Sequence, residues 1–252
     1  MTQLDFSQYN PPNDLLAGRV ILVTGAGQGI GRAISLEFAA HGATVILLGR
    51  TVPKLEGVYD EILARGGPEP AIYPMDLAGA STSDFETLAA NVEDQLGRLD
   101  GLVNNAAVLG GLSPLEQTNP EQWSLVLNTN VTAAFQLTRA TLPLLRSAPA
   151  GRIIFTTAAQ GRRGRAFWGA YAVSKFAIEG LAQVLADEVD NIESLQICCV
   201  EPGAVRTSLR SSAYPGELPD SQPPPESITA GYVYIMDPAR DHPLDLRLEL
   251  GS

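Results

Sequence analysis

Short, continuously apolar runs alternate with longer amphipathic stretches along most of the chain. A run without polar alternation is typical of a strand whose sheet is covered by helices on both faces. Five such runs are bounded by glycine, proline or polar residues and are therefore predicted to be strands. They span residues 19–25, 43–49, 101–107, 151–157 and 195–203.

The segments between these runs have helical periodicity. Apolar residues spaced three and four apart follow the first run and predict a helix that ends at Gly42. Longer helical segments are predicted over residues 119–145 and 171–189. Strands that alternate with helices in this way indicate an α/β fold, a Rossmann-type doubly wound parallel sheet with helices on both faces.

The domain organisation follows from the absence of an internal repeat and of a linker before about residue 214. We therefore predict a single domain over residues 1–252. The proline-rich stretch 213–227 has no periodicity and could be either a surface loop or a lid over a cleft. Both readings stay open for the wider segment of about 206–228, which would border the substrate.

Charge and composition narrow the function classes. The formal net charge is −11, from 28 acidic and 17 basic residues, which disfavours a nucleic-acid partner. No apolar stretch reaches the roughly 18 residues that span a bilayer, and residues 1–14 lack the features of a signal peptide. The adjacent Cys198 and Cys199 suit small buried residues better than a disulfide framework, so we expect a cytoplasmic protein.

A glycine-rich turn connects the first predicted strand to the first predicted helix. Gly25, Gly29 and Gly31 form a G-x-x-x-G-x-G pattern that also holds Gln28 and Ile30. Glycines at a strand-to-helix turn let the backbone approach a pyrophosphate, whose charge is stabilised at the helix N-terminus. Because the strand and helix supply the required context, the turn predicts nucleotide binding.

The residue after the second predicted strand indicates which nicotinamide cofactor binds. An acidic residue there would bind the ribose 2′-hydroxyl of NAD, whereas an arginine suits the 2′-phosphate of NADP. This chain has Arg50 at that point and no carboxylate. NADP(H) is therefore favoured over NAD(H), with an ordinary exposed arginine as the alternative.

Tyr171 and Lys175 lie four residues apart on a predicted helix and so share one face. A free tyrosine has a pKa near 10, too high for easy proton transfer at neutral pH. We expect the neighbouring ammonium to lower that pKa, so that the pair could move a proton while a hydride moves at carbon.

These motifs together resemble those of the short-chain dehydrogenase/reductase family, over about residues 18–207. The likeness extends to a bacterial branch of the family whose members are described only as oxidoreductases. The segments that carry it are T-G-A-G-Q-G-I-G (24–31), D-L (76–77), N-N-A-A (104–107), N-T-N (128–130), Y-A-V-S-K (171–175) and E-P-G-A-V-R-T (201–207).

The resemblance implies a catalytic set and a cofactor set of residues. Tyr171 would be the acid/base, Asn130 would hold a water in the proton relay, and Lys175 would also hold the nicotinamide ribose. With Arg50 added, the expected cofactor-binding residues are Gly25, Gln28, Gly29, Ile30, Gly31, Arg50, Asp76, Leu77, Asn105, Ala106, Lys175, Pro202, Gly203, Val205 and Thr207.

The chain departs from the family pattern at Ala158, where the family has a serine that hydrogen-bonds the substrate carbonyl, thirteen residues before the tyrosine. Losing one preorganised donor costs about 10²–10³ in rate. Three polar neighbours could compensate. In an extended segment Thr157 should point away from Ala158, while Thr156 and Gln160 share its side.

The leading hypothesis is an NADP(H)-preferring oxidoreductase that interconverts a carbonyl and an alcohol, with activity reduced by Ala158 unless a neighbour substitutes. The alternative is a catalytically impaired, cofactor-binding sensor or scaffold of the same fold. By resemblance we expect a homodimer or homotetramer with a small-molecule carbonyl or alcohol substrate. No metal, nucleic acid or membrane is expected; His41 and His242 lack the partners of a metal site.

Overall fold

The computed structural model describes residue 6, residues 9–240 and residues 244–250. His242, which was not expected to bind a metal, lies outside the described residues. Most of the first eight residues also lie outside them, and these belong to the segment 1–14 in which no signal peptide is expected. Within the described part no helix is both long enough and apolar enough to cross a membrane.

Within the described residues, seven strands form one sheet in which every neighbouring pair is parallel. They are β1 (Val20–Thr24), β2 (Thr44–Gly49), β3 (Ala71–Pro74), β4 (Gly101–Asn104), β5 (Gly151–Thr156), β6 (Leu195–Glu201) and β7 (Arg247–Glu249). Their order across the sheet is β3-β2-β1-β4-β5-β6-β7, which is a doubly wound Rossmann-type sheet and confirms the predicted fold class.

Helices cover both faces of the sheet. They are α1 (Gly29–Ala40), α2 (Val52–Ala64), α3 (Thr82–Leu96), α4 (Pro120–Leu127), α5 (Ala133–Ser147), α6 (Gly169–Glu188), α7 (Ser208–Ala213) and α8 (Thr229–Met236). Apolar residues of α1, α2 and α8 form the core on one face, and those of α3, α5 and α6 form the core on the other. This burial on both faces explains why the central strands are continuously apolar.

Several element boundaries differ from the predictions. The predicted strands 101–107 and 195–203 end earlier, at Asn104 and Glu201, because the following residues turn away at the sheet edge. The predicted helix 119–145 is divided by a π-helical turn, Asn128–Thr132. β3 and β7 were not predicted, since a half-buried edge strand and a three-residue strand leave little apolar signal.

The parallel arrangement brings distant segments to one edge of the sheet. The loops that follow β1, β2, β3, β4, β5 and β6 all begin at the carboxyl ends of their strands. In open α/β sheets ligands bind outside these ends. The fold therefore gathers the glycine turn, the residues after β5 and the residues after β6 around a single region.

Candidate functional site

A cleft of about 380 Å³ lies at the carboxyl edge of the sheet. Every residue expected to bind the cofactor lines this cleft except Gly31, which lies beneath the turn. Tyr171 and Lys175 also line it, while Asn130 borders a much smaller cavity beside it. The structure thus brings together residues from six separate loops and from α6.

Two glycines of the turn, Gly25 and Gly31, occupy positions that do not suit a side chain. Gly25 has a φ of +67°, a backbone conformation that residues with a side chain rarely adopt. A Cβ at Gly31 would overlap the carbonyl oxygen of Gly25 and would lie 2.7 Å from the Asn105 side-chain nitrogen. This close packing places the N-terminus of α1 against the cleft, where its backbone N–H groups can bind a phosphate.

Thr24 fixes the segment after β4 against this turn, a role with no local signal in the sequence because its partners lie about 80 residues further along the chain. Its hydroxyl accepts hydrogen bonds from the backbone nitrogens of Asn105 and Ala106, both at 2.9 Å, and donates to the carbonyl of Val103. The Asn105 amide donates in turn to the Thr24 carbonyl at 3.0 Å. The buried threonine therefore positions Asn105 and Ala106, two of the expected cofactor-binding residues.

Two exposed cations, Arg50 and Lys54, border the cleft where β2 ends. Lys54 was not identified from the sequence because it lies inside α2, one turn beyond the strand end. Its ammonium donates to the side-chain oxygen of Gln28, in the glycine turn. The cleft thus has two positive charges at the end where a ribose 2′-phosphate would be expected.

Lys175 is buried, and its ammonium donates a hydrogen bond of 2.7 Å to the backbone carbonyl of Thr156 at the end of β5. The ammonium also lies 5.5 Å from the centre of the Tyr171 ring. Burial lowers the pKa of Lys175 to about 8. This group is therefore mainly protonated at neutral pH but close to titrating.

The pKa of Tyr171 differs from the sequence expectation. The neighbouring ammonium was expected to lower it, but burial of the hydroxyl raises the pKa above its usual value of 10. The side chain is nearly inaccessible, so loss of water outweighs the distant cation. Tyr171 consequently stays protonated at neutral pH in this structure.

Asn130 lies in the π-helical turn between α4 and α5. Its side chain accepts from the backbone nitrogen of Val108 at 2.8 Å and donates to the carbonyl of Val108 and to the Ser174 hydroxyl, both at 3.0 Å. Single π-helical turns occur often at functional sites. Here the turn connects α6, through Ser174, to the loop after β4.

The three polar residues near Ala158, namely Thr156, Thr157 and Gln160, have different surroundings. The Thr157 hydroxyl donates to Glu179 at 2.9 Å, so it faces α6, as the strand alternation predicts. The Thr156 hydroxyl shares a 3.1 Å hydrogen bond with the Tyr232 hydroxyl of α8. Gln160 is half-buried and lines the cleft, and no side-chain hydrogen bond from it occurs within the described residues.

The arginine-rich loop before α6 is mostly engaged by other parts of the protein. Arg162 pairs with the buried Glu179 at 2.7 Å, and Arg165 donates to the Tyr214 hydroxyl at 2.8 Å. Glu179 also pairs with Arg247 of β7. The described residues contain no group of three or more His, Cys, Asp or Glu side chains able to hold a metal ion.

The segment after β6 forms the outer wall of the cleft. Thr207 caps the N-terminus of α7 and lies next to Gly29, while the Gln28 amide donates to Ser208 at 3.3 Å. Within residues 206–228, Arg206 pairs with Asp220. The segment is therefore ordered by its own contacts and touches the glycine turn across the cleft.

Comparison with known sequences finds short-chain dehydrogenases and other oxidoreductases. A family model described as short chain dehydrogenase matches residues 19–217. The chain is 45% identical over 228 residues to the "Uncharacterized oxidoreductase YciK" of Escherichia coli (strain K12), with 90% of each chain covered. It is 32% identical over 202 residues to the "NADPH-dependent pterin aldehyde reductase" of Arabidopsis thaliana, with 80% of this chain and 81% of that one covered.

Solved structures match over almost the whole chain. A short chain dehydrogenase structure from Pseudomonas syringae has a TM-score of 0.93 at 46% identity and covers 98% of this chain and 99% of that one. A short chain dehydrogenase from Shigella flexneri, complexed with NADP, has a TM-score of 0.91 at 42% identity and covers 95% of this chain and 99% of that one.

Burial of Lys175 predicts a particular pH dependence of stability. Between about pH 8 and pH 10.5 the unfolded chain binds a proton at this lysine that the folded chain has lost. Stability from this group therefore rises with pH across that window, by about 3 kcal/mol in full. Denaturant unfolding of the wild type and of Lys175→Met should show the wild type gaining stability relative to the variant. Parallel curves would contradict the assigned pKa.

Proposed function

The chain belongs to the short-chain dehydrogenase family, and on that basis we propose that it is an NADP(H)-preferring oxidoreductase that interconverts a carbonyl and an alcohol. The observation that carries this proposal is that Tyr171 and Lys175 face the same cleft as the glycine turn. A proton donor and a dinucleotide site in one cleft are what a reaction with a nicotinamide cofactor needs.

The donor groups of the cleft fit this cofactor. Gly25 and Gly29 line the cleft without side chains and so permit close approach of a pyrophosphate, and Arg50 and Lys54 offer two cations to a 2′-phosphate. The Shigella flexneri relative complexed with NADP supports the preference for NADP(H). When bound, the cofactor supplies or accepts the hydride at the substrate carbon.

The residues of α6 would handle the proton. The Tyr171 hydroxyl is protonated at neutral pH and could donate to the carbonyl oxygen during reduction and accept the proton back during oxidation. Burial raises its pKa and so makes it a weaker acid, which means that the tyrosinate left after donation needs stabilisation. The Lys175 ammonium would hold ribose hydroxyls and stabilise negative charge that develops on the tyrosine oxygen. Asn130 and a water would continue the relay.

Gln160 is proposed as the second donor to the carbonyl oxygen, in place of the hydroxyl that Ala158 lacks. The Thr157 hydroxyl donates to Glu179, and the Thr156 hydroxyl is engaged with Tyr232. Gln160 lines the cleft and, within the described residues, has an uncommitted side-chain amide. Its N–H groups could therefore stabilise the developing oxyanion.

The second candidate function is a cofactor-binding sensor or scaffold with little catalysis. The hydrogen bonds at the end of β5 favour this candidate. The hydroxyls of Thr156 and Thr157 are both engaged elsewhere, so neither is free to replace the serine that the family has at the position of Ala158. The two functions differ in whether any carbonyl compound is turned over when cofactor is bound.

Assembly into a homodimer or homotetramer is part of the proposal. Large apolar side chains are exposed on α5 and α6, namely Phe135, Val173, Phe176 and Val184. Pairing of these helices between copies would remove them from water. A cytoplasmic location remains a prediction from the sequence.

Tyr171→Phe removes the proposed proton donor but keeps the ring. We expect turnover of any carbonyl substrate with NADPH to fall at least about 100-fold, while the Kd for NADPH, measured by fluorescence, stays within twofold or so. The matched control is Tyr59→Phe, which removes a hydroxyl that contacts Glu69 outside the cleft. Full activity in Tyr171→Phe would refute the mechanism.

The double variant Arg50→Gln, Lys54→Gln tests the cofactor preference. Removing two charged donors to a phosphate should lower kcat/KM for NADPH by about 10–100-fold and leave the value for NADH nearly unchanged. Arg65→Gln, at the exposed end of α2 beside Glu61, removes one positive charge outside the cleft and is the control for a change of charge on this helix. An unchanged NADPH/NADH ratio in the double variant would remove the basis for the assignment.

A further inference from the structure

One end of the cleft is walled by apolar and aromatic side chains. Trp168 and Tyr171, at the start of α6, pack with Leu109 from the loop after β4 and with Ala213 of α7. Leu209 and Tyr214 pack against this cluster from the segment after β6. The proposed acid Tyr171 is thus part of an apolar wall that three separate segments build.

Three aromatic rings form the centre of this wall. The Trp168 ring centre lies 5.7 Å from that of Tyr171, at an interplanar angle of 58°, and 5.8 Å from that of Tyr214, at 47°. These separations are in the range of favourable aromatic pairs. Trp168 is buried even though it lines the cleft, so its ring is held in place by its neighbours.

Two arginines hold Tyr214 in position. Arg165 donates to the Tyr214 hydroxyl at 2.8 Å, and the guanidinium of Arg210 lies 4.5 Å from the centre of the Tyr214 ring. Arg210 also donates twice to Glu217, both times at 2.7 Å. The wall is therefore formed before a substrate arrives, which reduces the ordering cost of binding.

The charges near the wall disfavour a charged substrate. Arg210 lines the cleft, but its charge is paired with Glu217 through two hydrogen bonds. Of the described residues that line the cleft, Asp76 is the carboxylate, and it follows β3, four positions across the sheet from β5. The Arg165 guanidinium and the Lys175 ammonium are likewise engaged, with the Tyr214 hydroxyl and the Thr156 carbonyl. A carboxylate or an ammonium on the substrate would therefore lose water without gaining a free partner at this end of the cleft.

We infer that the substrate is a neutral aromatic aldehyde or ketone whose ring packs against Trp168 and Tyr214. This inference rests on the proposed function, since its carbonyl would face Tyr171 and Gln160. In the reduction the carbonyl π bond breaks, the carbon gains the hydride of NADPH and the oxygen gains the tyrosine proton. The products are the alcohol and NADP⁺, and a proton from water restores the tyrosine.

The kinetic test compares 2-naphthaldehyde with cyclohexanecarbaldehyde, both neutral, and reads the ratio of their kcat/KM values. Trp168→Leu should lower this ratio about tenfold, since it removes the aromatic surface but leaves an apolar side chain. The matched control is Trp123→Leu, the chain's other tryptophan, which is half-buried on α4 and does not line the cleft. Its ratio should equal that of the wild type. An unchanged ratio in Trp168→Leu would overturn the inference.

A binding test separates this inference from the proposed function. Amides are not reduced, so 2-naphthamide and cyclohexanecarboxamide can be titrated calorimetrically into the NADPH-loaded protein. Preference for naphthamide without turnover of any aldehyde would overturn the proposed function, and with it the assignment of a substrate, but would support the aromatic binding site at Trp168 and Tyr214. Turnover with no aromatic preference in either test would overturn the inference alone.

The anionic 4-carboxybenzaldehyde should be reduced at least about tenfold less efficiently than benzaldehyde, because its carboxylate would lose water on entering the cleft. Equal kcat/KM values for the two aldehydes would contradict a site for neutral substrates.

Discussion

The hydrogen bond from the Lys175 ammonium to the backbone carbonyl of Thr156 ties α6 to the carboxyl end of β5. Tyr171, Lys175 and Glu179 recur at four-residue intervals and so share one face of that helix. Glu179 accepts from Thr157 on the same strand end, which makes a second connection between the two elements. These two contacts, with the hydrogen bond from Asn130 to Ser174, fix the proposed acid relative to the cleft, because the segment between β5 and α6 is a loop and a short helical turn.

This arrangement has a cost in stability. Lys175 is a buried ammonium with a pKa lowered to about 8, and Tyr171 is a buried hydroxyl with a raised pKa. Burial of a charged group is unfavourable unless hydrogen bonds compensate it. The same packing places the Lys175 ammonium 5.5 Å from the Tyr171 ring centre, where it could stabilise the negative charge that proton donation would leave on the tyrosine oxygen. Stability and the proposed chemistry are therefore opposed at this helix.

The sequence predicted most of the fold and the part of the site that depends on local pattern. Buried parallel strands are continuously apolar, so periodicity located β1, β2, β4, β5 and β6, and the glycine turn and the Tyr171–Lys175 spacing are short-range signals. Lys54 was missed because α2 brings it to the cleft one turn after the strand end. The contact of Glu179 with Arg247 joins residues far apart in the chain, and the raised pKa of Tyr171 depends on burial, so neither has a local signal.

The central claim is that the protein is a working oxidoreductase in which Gln160 replaces the hydroxyl missing at Ala158. The most direct measurement is kcat/KM for NADPH-dependent reduction of an aldehyde by the wild type, by Gln160→Leu and by Gln160→Leu combined with Ala158→Ser. We predict that kcat/KM falls about 10²–10³-fold in the single variant and recovers substantially in the double variant, because a serine hydroxyl would supply the missing donor. Wild-type activity in Gln160→Leu would contradict it.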